Sequence, residues 1–135
     1  MNDTIAFSKA CVAVGAPERT SVNIMGHNSS EWVISFLGGI CGNMISSGVY
    51  ITNGPEACLY QAENSNASIV VVDSVSNLKK YSSQMHKLNG VKAVVLYSEE
   101  QFPAEIKDSR FFLWKDFLTL GKDVPQDIIL QKMNN

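Results

Sequence analysis

The chain has 135 residues, 45% hydrophobic and 18% charged, which excludes a disordered or low-complexity polypeptide and suits a unit built around one core. A formal net charge of -2, with Lys and Arg scattered along the chain, excludes an electrostatic nucleic-acid binder. The three cysteines Cys11, Cys41 and Cys58 lack paired or metal-type spacing, which excludes a disulfide framework and fits a reducing compartment.

The first predicted element is a helix from Thr4 to Val14, with Phe7, Ala10, Cys11 and Val14 on one face and Gly15 as its stop. It begins almost at Met1, so the chain is expected to start partway through a larger domain. A strand follows over Ser21 to Gly26, carrying Val22, Ile24 and Met25. Asn28 with Glu31 then forms a capping-box pattern for the next helix; Ser29 is an alternative cap, and Glu31 suits the positive end of the helix dipole.

Gly38, Gly39 and Gly42 raise the question of a phosphate cradle. A dinucleotide loop needs its glycines in the strand-to-helix turn at G-x-G-x-x-G spacing, whereas these fall about two turns into the helix and at another spacing. The expectation is close packing, because a helical Gly costs around 1 kcal/mol relative to Ala unless a neighbour needs the space. No charged side chain occurs between Trp32 and Pro55, but Gly42, Asn43, Ser46, Ser47, Gly48, Thr52 and Asn53 interrupt the apolar run. A membrane span needs about 20 predominantly apolar residues, so a buried helix and strand are expected and no transmembrane span.

Met44 to Ile51 reads as the second strand, Asn53-Gly54 as a turn, and Pro55 to Asn64 as a helix with Pro55 at its first position. Ser68 to Asp73 is a β-branched strand of the kind covered on both faces. A helix over Val75 to Leu88, with Leu78, Tyr81, Met85 and Leu88 at helical spacing, leads to a strand over Val91 to Tyr97. Glu99 to Arg110 is loose, Phe111 to Trp114 a short strand, Lys115 to Leu120 a weak helical piece, and Val124 to Asn135 a connector. This alternation predicts an α/β fold with a parallel, flavodoxin-like β-α-β-α-β-α-β sheet. The expected organisation is a leading helix and loop over 1–20, an α/β core over 21–98 and a loose extension over 99–135.

Catalytic motifs are missing. There is no G-x-S-x-G pentapeptide, and Gly121-Lys122 runs into Asp123 instead of the Ser or Thr of a phosphate loop. His27 and His86 have no metal-type companions, so no metal site is expected; Cys41 and Cys58 lie in apolar stretches where thiols are inert. His27 and Asn28 sit at a strand end where doubly wound sheets bind ligands and are candidate ligand-side residues. Asp73, Glu31 and Glu56 are unpaired carboxylates near strand or helix ends. The acceptor triplets at Asn2, Asn28 and Asn66 are read as chance, since no secretory leader precedes them.

The order Asn28-Ser29-x-Glu31-Trp32, Gly38-Gly39, Gly48-x-Tyr50-x-Thr52-Asn53 and Pro55-Glu56-Ala57-Cys58-x-Tyr60 resembles the N-terminal region of long-chain acyl-CoA synthetases. These belong to the adenylate-forming superfamily, and the bubblegum branch is the nearest match. The resemblance implies that the chain is part of the larger N-terminal domain of a ligase that joins a fatty acid to AMP, releases pyrophosphate and exchanges AMP for coenzyme A. It implies ATP, Mg and CoA for the parent, a cytoplasmic location, and membrane association only through the parent. The phosphate loop, adenine motifs and C-terminal lid are not in these residues, so no cofactor is expected in this segment and the chain alone is expected to be inactive. Its expected partners are the remainder of the ligase or another ligase chain, with fatty acid, ATP and CoA bound by the parent. Many relatives have Pro at the position of Ser30, and acetate-activating relatives have a CoA-directed Arg at that of Gln61. Thr52, Asn53 and Gln61 are therefore candidate CoA-side residues, while the Asn-Gly and Pro signals favour a structural turn. Glu31, Trp32, Gly38, Gly39, Gly42 and Pro55 are read as structural motif residues. The alternative is a non-enzymatic truncated isoform acting as an interaction or ligand-binding module.

Overall fold

The structure is a computed structural model that describes residues 3–98 and 101–134. The Asn2 end of the first acceptor triplet, Glu99 and Glu100 of the loose stretch, and Asn135 lie outside the described residues. The element order is α1 (Asp3–Ala13), β1 (Ser21–Met25), α2 (Ser30–Cys41), β2 (Ile45–Val49), α3 (Pro55–Asn64), β3 (Ala67–Val72), α4 (Val75–Ser82), β4 (Ala93–Leu96), β5 (Phe111–Leu113), α5 (Trp114–Thr119) and α6 (Gln126–Met133). The five strands are all parallel in the order β2-β1-β3-β4-β5, the flavodoxin-like arrangement.

Side chains alternate across a pleated strand, so a sheet buried on both faces divides each β-branched run between two cores. Val70, Val72, Val94 and Leu96 join Cys58 and Ala62 of α3 and Leu78 and Tyr81 of α4 on one face. Ile69, Val71, Ala93 and Val95 join Phe7, Ala10 and Cys11 of α1 and Phe117 of α5 on the other. The result is three layers, helix, sheet and helix. Full burial of a side chain such as Phe7, Ile24 or Ile69 is worth about 1.5–3 kcal/mol each.

Three sequence expectations change. The Val75 to Leu88 helix ends at Ser82, and a 3-10 turn at Met85–Lys87 follows. All four spaced apolar residues are buried, so the periodicity tracked burial correctly while the backbone broke beneath it. The break is held by Gln84, whose Nε2 donates to the Pro55 carbonyl at 2.6 Å and to the Lys80 carbonyl at 3.0 Å. Much of the expected Val124 to Asn135 connector is instead helix α6, seated by fully buried Ile129 and by a Lys132 Nζ to Glu18 Oε1 ion pair at 2.7 Å. The cap of α2 is Ser29, not Asn28: its Oγ accepts the Trp32 N–H at 3.1 Å.

Arg110 carries out work that no sequence pattern announced. One guanidinium nitrogen donates to the carbonyls of Leu88 at 2.8 Å and Val91 at 3.1 Å, and the other to Met85 at 3.1 Å. Asp108 orients the group through Oδ1 at 2.9 Å and Oδ2 at 2.7 Å. This clasp ties the loop before β5 to the end of the α4 connection. Hydrogen bonding from Arg110 holds the Asp108 carboxyl below its usual range, against a smaller opposing effect of burial.

A carboxylate depressed in the folded state stabilises fully above its unfolded pKa, about 3.9, and loses that stabilisation as pH falls through the folded value. Arg110→Ala is expected to cost about 1–3 kcal/mol at neutral pH, and Arg110→Lys most of that, because an ammonium cannot span the same carbonyls. Urea unfolding measures both, and the Ala variant is expected to lose less stability than the parent chain on acidification below about pH 4. Equal urea midpoints for Arg110→Ala and the parent at neutral pH contradict the clasp.

Candidate functional site

Doubly wound sheets bind ligands beyond the carboxyl ends of their strands, at the point where the winding reverses. Here β1 is flanked by β2 on one side and β3 on the other, so that point lies between the carboxyl ends of β1 and β3. Gly26, His27 and Asn28 follow β1, and Asp73 and Ser74 follow β3. Thr52 and Asn53 follow β2 on the same edge of the sheet.

The turn after β1 depends on Gly26. Its φ of +151° lies where L side chains rarely sit, and a Cβ there would fall 2.7 Å from the Asp73 Cβ and collide with the Tyr97 hydroxyl. Tyr97 fills that space and donates from its hydroxyl to the His27 carbonyl at 3.2 Å. Burial pushes the Tyr97 hydroxyl above the ordinary tyrosine range; a hydrogen bond with Ser29 opposes this, and the negative charges of Asp73 and Glu31 add to it. The Asp73 Oδ1 accepts from Asn77 Nδ2 at 2.7 Å. Tyr97 and Glu31, with Ser98 and the Leu113 to Asp116 stretch, line an open cavity of about 570 Å³ at the same sheet edge. Tyr97 went unread in the sequence because a Tyr at a strand end carries no periodic signal.

His27 and Asn28 are exposed on this edge, as are Thr52 and, in part, Asn53. Gln61 is not with them: its Nε2 donates back to the Gly48 carbonyl of β2 at 3.1 Å. The Thr52 to Pro55 turn is held from below, by Lys80 Nζ to the Ile51 carbonyl at 2.8 Å and by Gln84 to Pro55. Pro55 opens α3 as its first residue, with Gly54 as the N-cap. Glu31 sits in the first turn of α2, where Ser30 Oγ donates to its carboxylate at 3.2 Å. Trp32 stacks on Phe36 with ring centres 5.3 Å apart.

Gly38 and Gly39 face protein, not the ligand edge. A Cβ on Gly38 would lie 2.8 Å from Phe7 Cδ1 and 3.0 Å from the Thr4 carbonyl oxygen of α1. One on Gly39 would lie 2.6 Å from Ser46 Oγ and 3.0 Å from Val22 Cγ2 of the sheet. Gly42 differs from these two: it is the C-cap of α2, and its nearest such neighbour is at 3.5 Å.

The residues present do not form a nucleotide cradle. The turn from β1 into α2 is His27-Asn28-Ser29, with one glycine before it and no lysine within it. Among the described residues no three or more His, Cys, Asp or Glu side chains are grouped to hold a metal ion, and no helix is long and apolar enough to cross a membrane. His86 is exposed on the 3-10 turn. Burial pushes the Cys11, Cys41 and Cys58 thiols upward, away from the thiolate form that reacts. The arrangement can present backbone and side-chain polar groups to a ligand at the sheet edge.

The fold and site define a parallel, doubly wound α/β unit with its ligand edge at the strand carboxyl ends. The profile of the AMP-binding enzyme family matches residues 5–127, and the chain belongs to that family. It is 36% identical over 120 residues to a long-chain-fatty-acid–CoA ligase of Xenopus laevis, covering 87% of this chain and 16% of the relative. It is 41% identical over 107 residues to a long-chain-fatty-acid–CoA ligase of Gallus gallus, covering 77% of this chain and 13% of the relative. A human ligase of the same description is 34% identical over 122 residues, with 90% and 16% covered. The crystal structure of an anthranilate CoA ligase with anthranoyl-AMP superposes with a TM-score of 0.74 at 18% identity, covering 92% of this chain and 22% of that one, and so shares the fold. The chain thus spans about one-sixth of the length of the Xenopus and human ligases.

Replacing Gly26, Gly38 or Gly39 by Ala is expected to cost about 1–3 kcal/mol each through overpacking, with Gly26 the most damaging because its φ adds strain. Gly42→Ala is expected to change stability by less than about 1 kcal/mol. Urea midpoints for the four variants decide it; equal losses at Gly39 and Gly42 contradict the close-approach assignment.

Proposed function

We propose that this chain is a sheet-forming segment of a long-chain fatty acid–CoA ligase, serving as scaffold and as part of the wall that faces the substrates. The observation that carries the reading is the family match over residues 5–127 together with relatives of that activity at 34–41% identity. The parent reaction joins a fatty acid to AMP from ATP with release of pyrophosphate, then replaces AMP by coenzyme A. ATP, Mg and CoA belong to that reaction, and among the described residues none forms a triphosphate grip through which a step could run. What they offer is position: the turns at His27-Asn28 and Thr52-Asn53 sit side by side at the carboxyl ends of β1 and β2, exposed and anchored from beneath. Thr52 and Asn53 remain the CoA-side candidates. Gln61 is better read as a brace for β2, because its amide is already bonded to the Gly48 carbonyl. The cytoplasmic setting implied by the family, with any membrane association made through the parent, belongs to the same reading.

The test grafts this chain into the Gallus gallus ligase in place of the 107 matched residues. The graft is expected to make palmitoyl-CoA from palmitate, ATP and coenzyme A, while the 135-residue chain alone makes none. Acyl-CoA formation by the chain alone, or a folded graft with no ligase activity, contradicts the proposal.

A further inference from the structure

The open cavity at the carboxyl edge has an aromatic wall that a scaffold role leaves unused. Tyr97, just past β4, and Trp114, the first residue of α5, line it with ring centres 6.2 Å apart and planes inclined at 68°. Two rings set nearly at right angles make a corner. Neither ring is loose: Trp114 is backed by Phe7 of α1 at 6.0 Å, and the Tyr97 hydroxyl is tied to the His27 carbonyl at 3.2 Å. Leu113 extends the apolar wall. The volume of about 570 Å³ lies within the range of small-ligand sites, about 300–1,000 Å³.

The charge at this wall is negative. Glu31 and Asp116 line the cavity, against Lys115 as the one cation among the described residues that line it. Asp73 stands close by, since a Cβ on Gly26 would touch both its side chain and the Tyr97 hydroxyl. Burial raises the Tyr97 hydroxyl most, and the negative charges of Asp73 and Glu31 raise it further, so the field across the wall favours a positive charge. An anion placed here would meet two carboxylates. A primary ammonium holds its water through three N–H donors, whereas a quaternary ammonium spreads its charge over methyl groups that lie against ring faces.

The geometry points to a binding site for a trimethylammonium group, seated in the corner of Tyr97 and Trp114 with Glu31 and Asp116 at its rim. The site is separate from the CoA-side candidates Thr52 and Asn53, because β1 and β3 lie between β2 and β4, and it does not depend on ligase activity. The shared chemistry belongs equally to a soluble compound such as choline and to the head group of phosphatidylcholine.

Titration of the labelled 135-residue chain with choline, followed by NMR, tests this. Trp32 and Trp114 are the two tryptophans, so a Trp32→Phe variant assigns the Trp114 indole N–H. Its signal is expected to shift saturably, with half-saturation at about 1 mM choline. The neutral isostere of choline, with carbon in place of the charged nitrogen, is expected to bind at least about tenfold more weakly. Glu31→Gln combined with Asp116→Asn is expected to weaken choline about fivefold with the spectrum of the folded chain kept. Trp114→Leu is expected to abolish binding; if that variant unfolds, the charge variant still decides. Co-sedimentation with phosphatidylcholine vesicles in addition to choline binding assigns the site to a lipid head group, and choline binding without it to a soluble compound. No saturable shift by tenfold above the expected half-saturation, equal binding of the neutral isostere, or unchanged affinity in the charge variant overturns the site.

Discussion

The structure depends on two adjacent positions that carry no side chain. Gly38 lets α2 rest on Phe7 and Thr4 of α1, and Gly39 lets the same helix rest on Val22 and Ser46 of the sheet. A Cβ would lie 2.8 Å from Phe7 Cδ1 at Gly38 and 2.6 Å from Ser46 Oγ at Gly39, so at either position one of the packed groups would have to move. The Ser8 hydroxyl donates to the Gly38 carbonyl and satisfies a polar group that the tight contact buries. With α2 pressed into place, its Ser29 cap and the preceding turn are fixed at the carboxyl end of β1. The loops at the ligand edge are thus positioned from two helical turns away.

The sheet supplies the second level of order. Because alternate residues of β3 and β4 feed two separate cores, helices on both faces are held against the same short strands and the connections must be right-handed crossovers. The loops gathered at the carboxyl edge are consequently rigid at their roots and open at their tips. The Thr52 to Pro55 turn shows this arrangement: Lys80 and Gln84 of the α4 region hold its backbone while Thr52 faces solvent.

Much of this was legible in the residues. The β-branched run Ser68 to Asp73 and the Pro55 start of α3 gave element type and position, since burial on both faces and the fixed φ of proline leave few alternatives. Gly38 and Gly39 were readable as packing because they miss the strand-to-helix turn, but Gly42, read the same way, caps the end of α2 without a close approach. Periodicity misled at Met85 and Leu88, which keep helical spacing and full burial although the backbone has left the α-helix. α6 was invisible because Ile129 is its single buried residue and the other apolar side chains, Ile128, Leu130 and Met133, are exposed. Asn28 and Ser29 are both good caps, and only the geometry of the Gly26 turn decides between them. The Arg110 clasp and the Tyr97 to His27 bond join residues 19 or more positions apart through backbone carbonyls, which no local pattern encodes.

Gly38 and Gly39 are used for close approach to α1 and to the sheet and not for gripping a triphosphate, and that distinction can be measured directly. Isothermal titration of the purified chain with Mg-ATP is predicted to give no saturable heat up to about millimolar nucleotide, the range where affinities fall to roughly 4 kcal/mol. Saturable micromolar binding that disappears in a folded Gly39→Ala variant would contradict it.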